Sequence, residues 1–240
     1  MKALLVIGLL AGDAAADRWS RAADRVQGGG YLHYELSGWT ALDDDSGRMT
    51  TPRDSDRLVL AGVRLGGFLG AGATVGYHVA LDLFAGSTLA SGGFAYDVAV
   101  YPIGIAARFG PTSVLAIAAG IGGSGAVGTI DDGAIVPVQA TLEVGKSLRL
   151  IARARASYVL GAAGRQSAAP SAPFADEFDA TLGVRLGRYY KQHGFPTGNG
   201  YFVAAGYREQ LGTRFLGVTI GYSIDVALPR RFLDEDRQQR

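Results

Sequence analysis

The chain contains no cysteine, and only three of its 23 basic residues, Lys2, Lys146 and Lys191, are lysine. The first absence excludes a disulfide framework, thiol chemistry, Cys-ligated metal and the acylated cysteine of a lipoprotein. An excess of either charge is missing too: 23 Lys+Arg face 22 Asp+Glu. No broad field is therefore present to draw in nucleic acid or an acidic substrate. Histidine is scarce, and His33, His78 and His193 are too scattered to form a metal signature. Gly66-Gly67 and the later glycine clusters lack the lysine and helix start of a phosphate loop, so no nucleotide or other cofactor is expected. Nothing in 240 residues calls for a second domain. The uncharged run 109–130 has the length of a spanning helix, but it carries Pro111 and six glycines. Each glycine costs a helix roughly 1 kcal/mol against alanine.

What the chain has in quantity is glycine, 36 residues, and strict alternation. In 214–226, Arg214, Leu216, Val218, Ile220, Tyr222, Ile224 and Val226 alternate with Phe215, Gly217, Thr219, Gly221, Ser223 and Asp225. A period of two is that of a β-strand, so this segment turns an aliphatic row to one solvent and a small or polar row to another. The same parity recurs in 31–41, 57–66, 72–83, 94–107, 113–122, 136–144, 149–158, 178–186 and 201–210. That makes ten strands, or eight if the less regular first and ninth are discounted. Within 94–107 the parity switches at Pro102, which predicts a β-bulge there. Turn residues place long connections at 42–56, 86–93, 123–133, 161–177 and 189–200, and short ones at 66–70, 108–112, 145–147 and 211–213.

A soluble sandwich also alternates, so parity alone does not name the solvent. Strand length does more, because about 10 tilted residues suit a membrane span, whereas soluble strands average roughly 5 to 6. The polar rows carry charges in mid-strand among Gly, Ser and Thr, as a hydrated lumen allows. Phe94, Tyr96, Tyr158, Phe178, Tyr189, Tyr190 and Tyr201 lie near strand ends, where aromatic girdles belong. The expected fold is all-β, an antiparallel up-and-down transmembrane β-barrel with the aliphatic rows in lipid.

In this pattern residues 31–226 resemble the small outer-membrane β-barrel proteins of Gram-negative bacteria. The resemblance implies a lipid bilayer around the wall, both termini in the periplasm, and the barrel-assembly machinery as a partner during biogenesis. Thr219, Gly221, Ile224 and Val226 resemble the polar-x-Gly-x-x-apolar-x-apolar signal read by that machinery. The departure is that residues 227–240 follow as a charged tail instead of an aromatic terminus. At the other end, Lys2, an apolar run over 3–11 and Ala14-Ala15-Ala16 before Asp17 have the order of an export signal cleaved after Ala16. Residues 17–30 then form a polar lead ending in a Gly28-Gly29-Gly30 hinge.

Parity places Arg64, Arg149, Arg153, Arg155, Arg185 and Arg208 inside with Glu35, Asp82, Asp97, Glu143, Asp179 and Asp225. Charges in a confined space must be paired or wet. Hairpin counting sets Glu143 opposite Arg149 and Glu35 near Arg64, so the leading expectation is a structural envelope protein with an ion-paired lumen. The same counting sets Arg153 near Arg185 with Arg155 close by, a basic patch that would make a small anion-preferring pore. Asp82 and Asp97 fall opposite each other near the outer rim, where a carboxylate pair could activate water in a hydrolase. His78 shares that face but lies about 13 Å away at 3.3 Å per residue, and no Asp-x-His or His-x-Ser element accompanies the pair, so catalysis is not expected. An extracellular ligand would meet the long loops 42–56 and 161–177. The export reading has a direct check: the mass of the mature protein purified from membranes should correspond to a chain beginning at Asp17, and retention of residues 1–16 would refute it.

Overall fold

The computed structural model describes residues 26–42, 57–69, 75–89, 92–108, 113–126, 130–145, 147–161, 175–192, 195–210 and 213–229. They form ten strands: β1 (Val26–Ala41), β2 (Arg57–Leu69), β3 (Val75–Thr88), β4 (Phe94–Arg108), β5 (Val114–Ala126), β6 (Ile130–Gly145), β7 (Leu148–Gly161), β8 (Glu177–Gln192), β9 (Phe195–Gln210) and β10 (Thr213–Pro229). Each pairs with its sequence neighbours, and β1 closes on β10 from Val26↔Pro229 to Ala41↔Phe215, giving a closed barrel. Every pairing is antiparallel. The count is ten, not eight. No helix among the described residues is long and apolar enough to cross a membrane, and most of the uncharged run 109–130 is β5.

The aliphatic rows are on the outside. Leu216 is 52% exposed, Val218 54% and Ile220 51%, while Phe215 and Thr219 on the alternate row are 0% and 4% exposed. The same holds around the ring, where Ile103, Ile105, Ile121, Leu160, Leu182 and Leu186 are among the most exposed side chains. A water-facing surface does not carry a continuous apolar belt of this kind, whereas a wall solvated by hydrocarbon requires one. Strands of 13 to 17 residues, tilted through roughly 40°, rise about 33 Å or more, which exceeds an apolar band of about 25 Å. This is a membrane-spanning barrel.

Strand ends extend beyond the expected limits, for a physical reason. Alternation of apolar residues marks only the part of a strand in hydrocarbon, but the ladder continues past it through polar and glycine residues. Thus Gly28, Gly29 and Gly30 pair with Leu69, Phe68 and Gly67 within β1 and β2 instead of forming a hinge. Residues 123–126 and 130–133, expected in a loop, are the ends of β5 and β6. The expected connection 189–200 is mostly two hairpin arms paired from Tyr189↔Gly198 to Gln192↔Phe195. It shrinks to residues 193–194, a length that suits the barrel end carrying both termini. The tight turn at 145–147 is present, with Gly145 at φ 124°, a conformation open to glycine and strained for other residues. The signal segment 1–16, most of the lead, loop residues 43–56 and 162–174, His193 and the tail from 230 onward lie outside the described residues.

The bulge at Pro102 is also present. Register shifts by one residue on both sides of β4, between Tyr77 and Ala80 in β3 and between Val100 and Ile103 against β5. A bulge leaves backbone groups without a ladder partner, and in hydrocarbon no water can satisfy them. Here the hydroxyl of Tyr77, a half-exposed residue of the outer wall, donates to the Pro102 carbonyl. Replacing Tyr77 with Phe should therefore destabilise the barrel by about 1–3 kcal/mol, the cost of an unsatisfied buried carbonyl, read from the urea midpoint in lipid vesicles. Tyr34→Phe, at an outer-wall tyrosine that is 49% exposed, should leave that midpoint in place.

Candidate functional site: the charged lumen

Inward-facing residues of ten strands meet across the barrel in three levels. At the loop end, Trp39, Leu58, Leu60, Phe84, Ala95, Ala126 and Phe215 form an apolar cluster. Below it the twelve charged residues expected inside are all drawn toward one another. At the end that carries the termini, Tyr31, His33 and Phe202 meet in tilted ring contacts, with centroids 4.8 Å and 5.6 Å apart.

The charges sort into three tiers, each with two arginines and two carboxylates. In the tier nearest the loops, Arg155 grips Asp97 with both terminal nitrogens at 2.7 Å and its Nε lies 2.8 Å from Asp179. Arg208 adds a third donor to Asp97 at 2.8 Å. In the middle tier, Arg64 donates to Glu35 at 3.0 Å, to Asp82 and to the Gln139 side-chain oxygen at 3.3 Å, and Arg153 lies 3.6 Å from Glu35. In the tier nearest the termini, Arg149 and Arg185 share Asp225 at 2.6 Å and 2.8 Å, with Glu143 at 3.3 Å and 3.8 Å. The two ring nitrogens of His33 lie 3.8 Å from Glu35 and 3.8 Å from Glu143, between the lower two tiers. Arg–carboxylate forks of this geometry are charge-assisted hydrogen bonds, about twice as strong as neutral ones.

These contacts span the lumen. β4 and β7 are separated by two strands on the shorter path around the wall, yet Arg155 reaches Asp97 directly. Arg208 on β9 reaches the same carboxylate from the other side. The bulk comes from aromatic rings laid on glycine. A side chain at Gly217 or Gly206 would collide with the Trp39 ring, and one at Gly221 with the Phe202 ring. Glycine on the inner row is what lets rings lie flat across the wall.

Two expected groupings are not formed. Arg153, Arg155 and Arg185 make no common basic patch: Arg185 stands opposite Arg149, Arg153 opposite Thr181, and Arg155 opposite Asp179. Asp82 and Asp97 make no carboxylate pair either. Asp82 lies opposite Ala99 and Asp97 opposite Phe84, and they belong to different tiers, Asp82 with Arg64 and the Tyr101 hydroxyl (3.4 Å), Asp97 with Arg155 and Arg208. His78 bonds the Gly67 carbonyl at 2.9 Å, away from both. Among the described residues no cluster of three His, Asp or Glu could hold a metal ion.

Other lumen residues escaped the sequence reading. Trp39, Phe84 and Phe215 were on inward parity, but bulky rings were not expected on a row taken as small and polar. Glu177, at the end of an expected loop, accepts from Ser124 at 2.9 Å inside the barrel. Gln139 carries parity but no charge, and nothing local marked it as a partner of Arg64.

The class that these observations define is a ten-stranded transmembrane β-barrel with a charged, side-chain-filled interior. No protein-family model and no curated protein matches the sequence. Among solved structures the chain is similar to the outer membrane phospholipase A from Escherichia coli, at 10% identity and a TM-score of 0.38 over 80% of this chain and 92% of that one. It is also similar to the CymD monoaromatic hydrocarbon channel, at 10% identity and a TM-score of 0.32 over 91% and 93%. Likenesses at these scores carry nothing about activity or ligand, and the fold stands on the strand register itself.

Asp97 offers a test of how much the network holds. Asp97→Leu leaves Arg208 buried without its carboxylate and should cost about 3–5 kcal/mol in urea unfolding. Adding Arg208→Met should restore part of the loss, so that the double variant is more stable than the sum of the single effects.

Proposed function

We propose that the protein is an outer-membrane β-barrel of the Gram-negative cell envelope, closed to solute flow and structural in role, with any contact to outside ligands made by its long loops. The observation that carries this reading is the cross-lumen ion pairing, above all Arg155 and Arg208 converging on Asp97. An uncompensated charge would be costly in such a space, and among the described residues the three paired tiers leave between them a cavity of about 30 Å³. Barrels near this strand number are filled by side chains unless built around a ligand.

Placement in the outer membrane is supported by the chemistry of the chain. The N-terminal Lys2, apolar run and Ala14-Ala15-Ala16 support export, and β10 carries Thr219, Gly221, Ile224 and Val226 as a candidate assembly signal. The short connections 146–147 and 193–194 lie at the end with both termini, which supports a periplasmic orientation for that end. The anion-pore alternative loses support because Arg155 and Arg185 each face carboxylates within 2.8 Å. The hydrolase alternative loses support because its two aspartates serve different arginines.

The expected behaviour is recovery of the protein in the outer-membrane fraction, a change in gel mobility between unboiled and boiled samples, and silence in planar-bilayer recordings at moderate salt. Steady single-channel steps with anion preference would overturn the closed-lumen reading and reinstate the pore. A soluble protein with heat-independent mobility would remove the membrane assignment altogether.

A further inference from the structure

The cavity between the loop-side and middle tiers has an unequal lining. Arg64, Arg153, Arg155 and Arg208 face it together with Glu35, Asp97 and Asp179, and the carboxylates are already engaged at 2.7 to 3.0 Å by Arg155 and Arg64. Asp82, which balances the fourth arginine, is not part of the lining; it holds Arg64 from another side. Arg153 is the loosely held member, its nearest carboxylate being Glu35 at 3.6 Å, an oxygen that already accepts from Arg64.

Gln139 supplies the second feature. Its side chain is 2% exposed, and Arg64 donates to its oxygen at 3.3 Å. That contact fixes the amide, because the flipped orientation would set two donors against each other. The amide nitrogen therefore points elsewhere, and it has no protein partner. A buried donor of this kind costs about 1–3 kcal/mol unless an acceptor meets it. The unpartnered Asp82 Oδ1 lies off the lining, so the unspent capacity named on the lining itself is donor capacity, from Gln139 Nε2 and the Arg153 guanidinium, with the Thr219 hydroxyl beside them. The volume, about 30 Å³, is above what one water molecule needs and admits a monatomic ion.

We infer that the barrel holds a single halide ion, chloride in ordinary buffers, between Gln139 Nε2 and Arg153. The ion completes the polar lining from inside. This goes beyond the closed-barrel reading and stands on different observations, so a conducting barrel would leave the site intact while loss of the site would leave the barrel closed.

The test uses the full-length barrel folded in detergent, in sodium bromide or sodium gluconate at equal ionic strength, with bromide as the probe and gluconate as an anion too large for the cavity. Crystals grown in bromide should show an anomalous peak within hydrogen-bonding reach of Gln139 Nε2 and Arg153. The thermal midpoint should be several degrees higher in bromide or chloride than in gluconate, and Gln139→Met should abolish that difference. If that variant does not fold, the wild-type map and midpoints decide alone. Bromide peaks confined to the surface, or equal midpoints in the two salts, would show that the cavity holds water only and overturn the proposal.

Discussion

Hydrocarbon offers no hydrogen bonds, and that single fact governs this structure. Each backbone N–H and C=O at membrane depth must find a partner within the wall. The closure of β1 onto β10 provides this, since it leaves no edge strand exposed. It also explains what happens at Pro102, the one place in β4 where the ladder cannot be continued. The bulge frees a carbonyl facing lipid, and the Tyr77 hydroxyl from the preceding strand, β3, supplies the missing donor. In water such a carbonyl would need no dedicated side chain.

The same constraint acts on the inside in a different form. A ten-stranded wall encloses more space than aliphatic side chains on small inner rows could fill, and the apolar cluster around Trp39 and Phe215 packs across its loop end. Charges placed there must be neutralised locally. The chain does so tier by tier, two arginines with two carboxylates each time, using residues from non-adjacent strands as cross-braces. Arginine suits the task because one planar fork can engage several oxygens from fixed directions, as Arg155 does with Asp97 and Asp179. A lysine would have to draw both carboxylates to one nitrogen, without the fixed and separate donor directions of the fork. Arg64 also links the charged and apolar levels, its guanidinium lying 5.1 Å from the centroid of the Phe84 ring.

Much of the wall was legible in the sequence, because lipid imposes a rule that each residue obeys separately: outward positions are apolar. Reading parity in 214–226 or 136–144 is enough to recover the strand, its faces and the side on which Glu143 or Asp225 lies. The strand ends were not legible, since Gly28 or Thr197 pairs in the ladder outside the hydrocarbon, where no composition rule applies. Register was not legible from turn lengths, even at a tight turn. Counting back from 145–147 sets Glu143 opposite Arg149, but Arg149 stands opposite Gly145 and Glu143 opposite Ile151, a slip of two that the side chains bridge diagonally at 3.3 Å. Across the long connection after β7 the count fails by four residues, so that Arg149, not Arg153, stands opposite Arg185. Across 86–93 it fails by two, which is enough to separate Asp82 from Asp97. Contacts through the lumen, such as Arg155 with Asp97, depend on registers accumulated over several hairpins, so no local pattern could reveal them.

The glycine content follows from this division between wall and filling. On the outer face glycine would thin the apolar belt, and the outward rows of β3 and β10 carry almost none. On the inner face its lack of a side chain is used sterically: Trp39 on β1 lies over Gly217 of β10 and Gly206 of β9, and Phe202 lies over Gly221. Each ring thereby covers two or three strands at once and takes up space that several medium-sized side chains would otherwise have to share. Rings flat against the wall keep the lumen centre open for the arginine forks, which need that room to reach across. Glycine on the inner row, aromatic rings beside it and arginine through the middle are therefore three parts of one packing solution, and altering any one changes what the other two must fill.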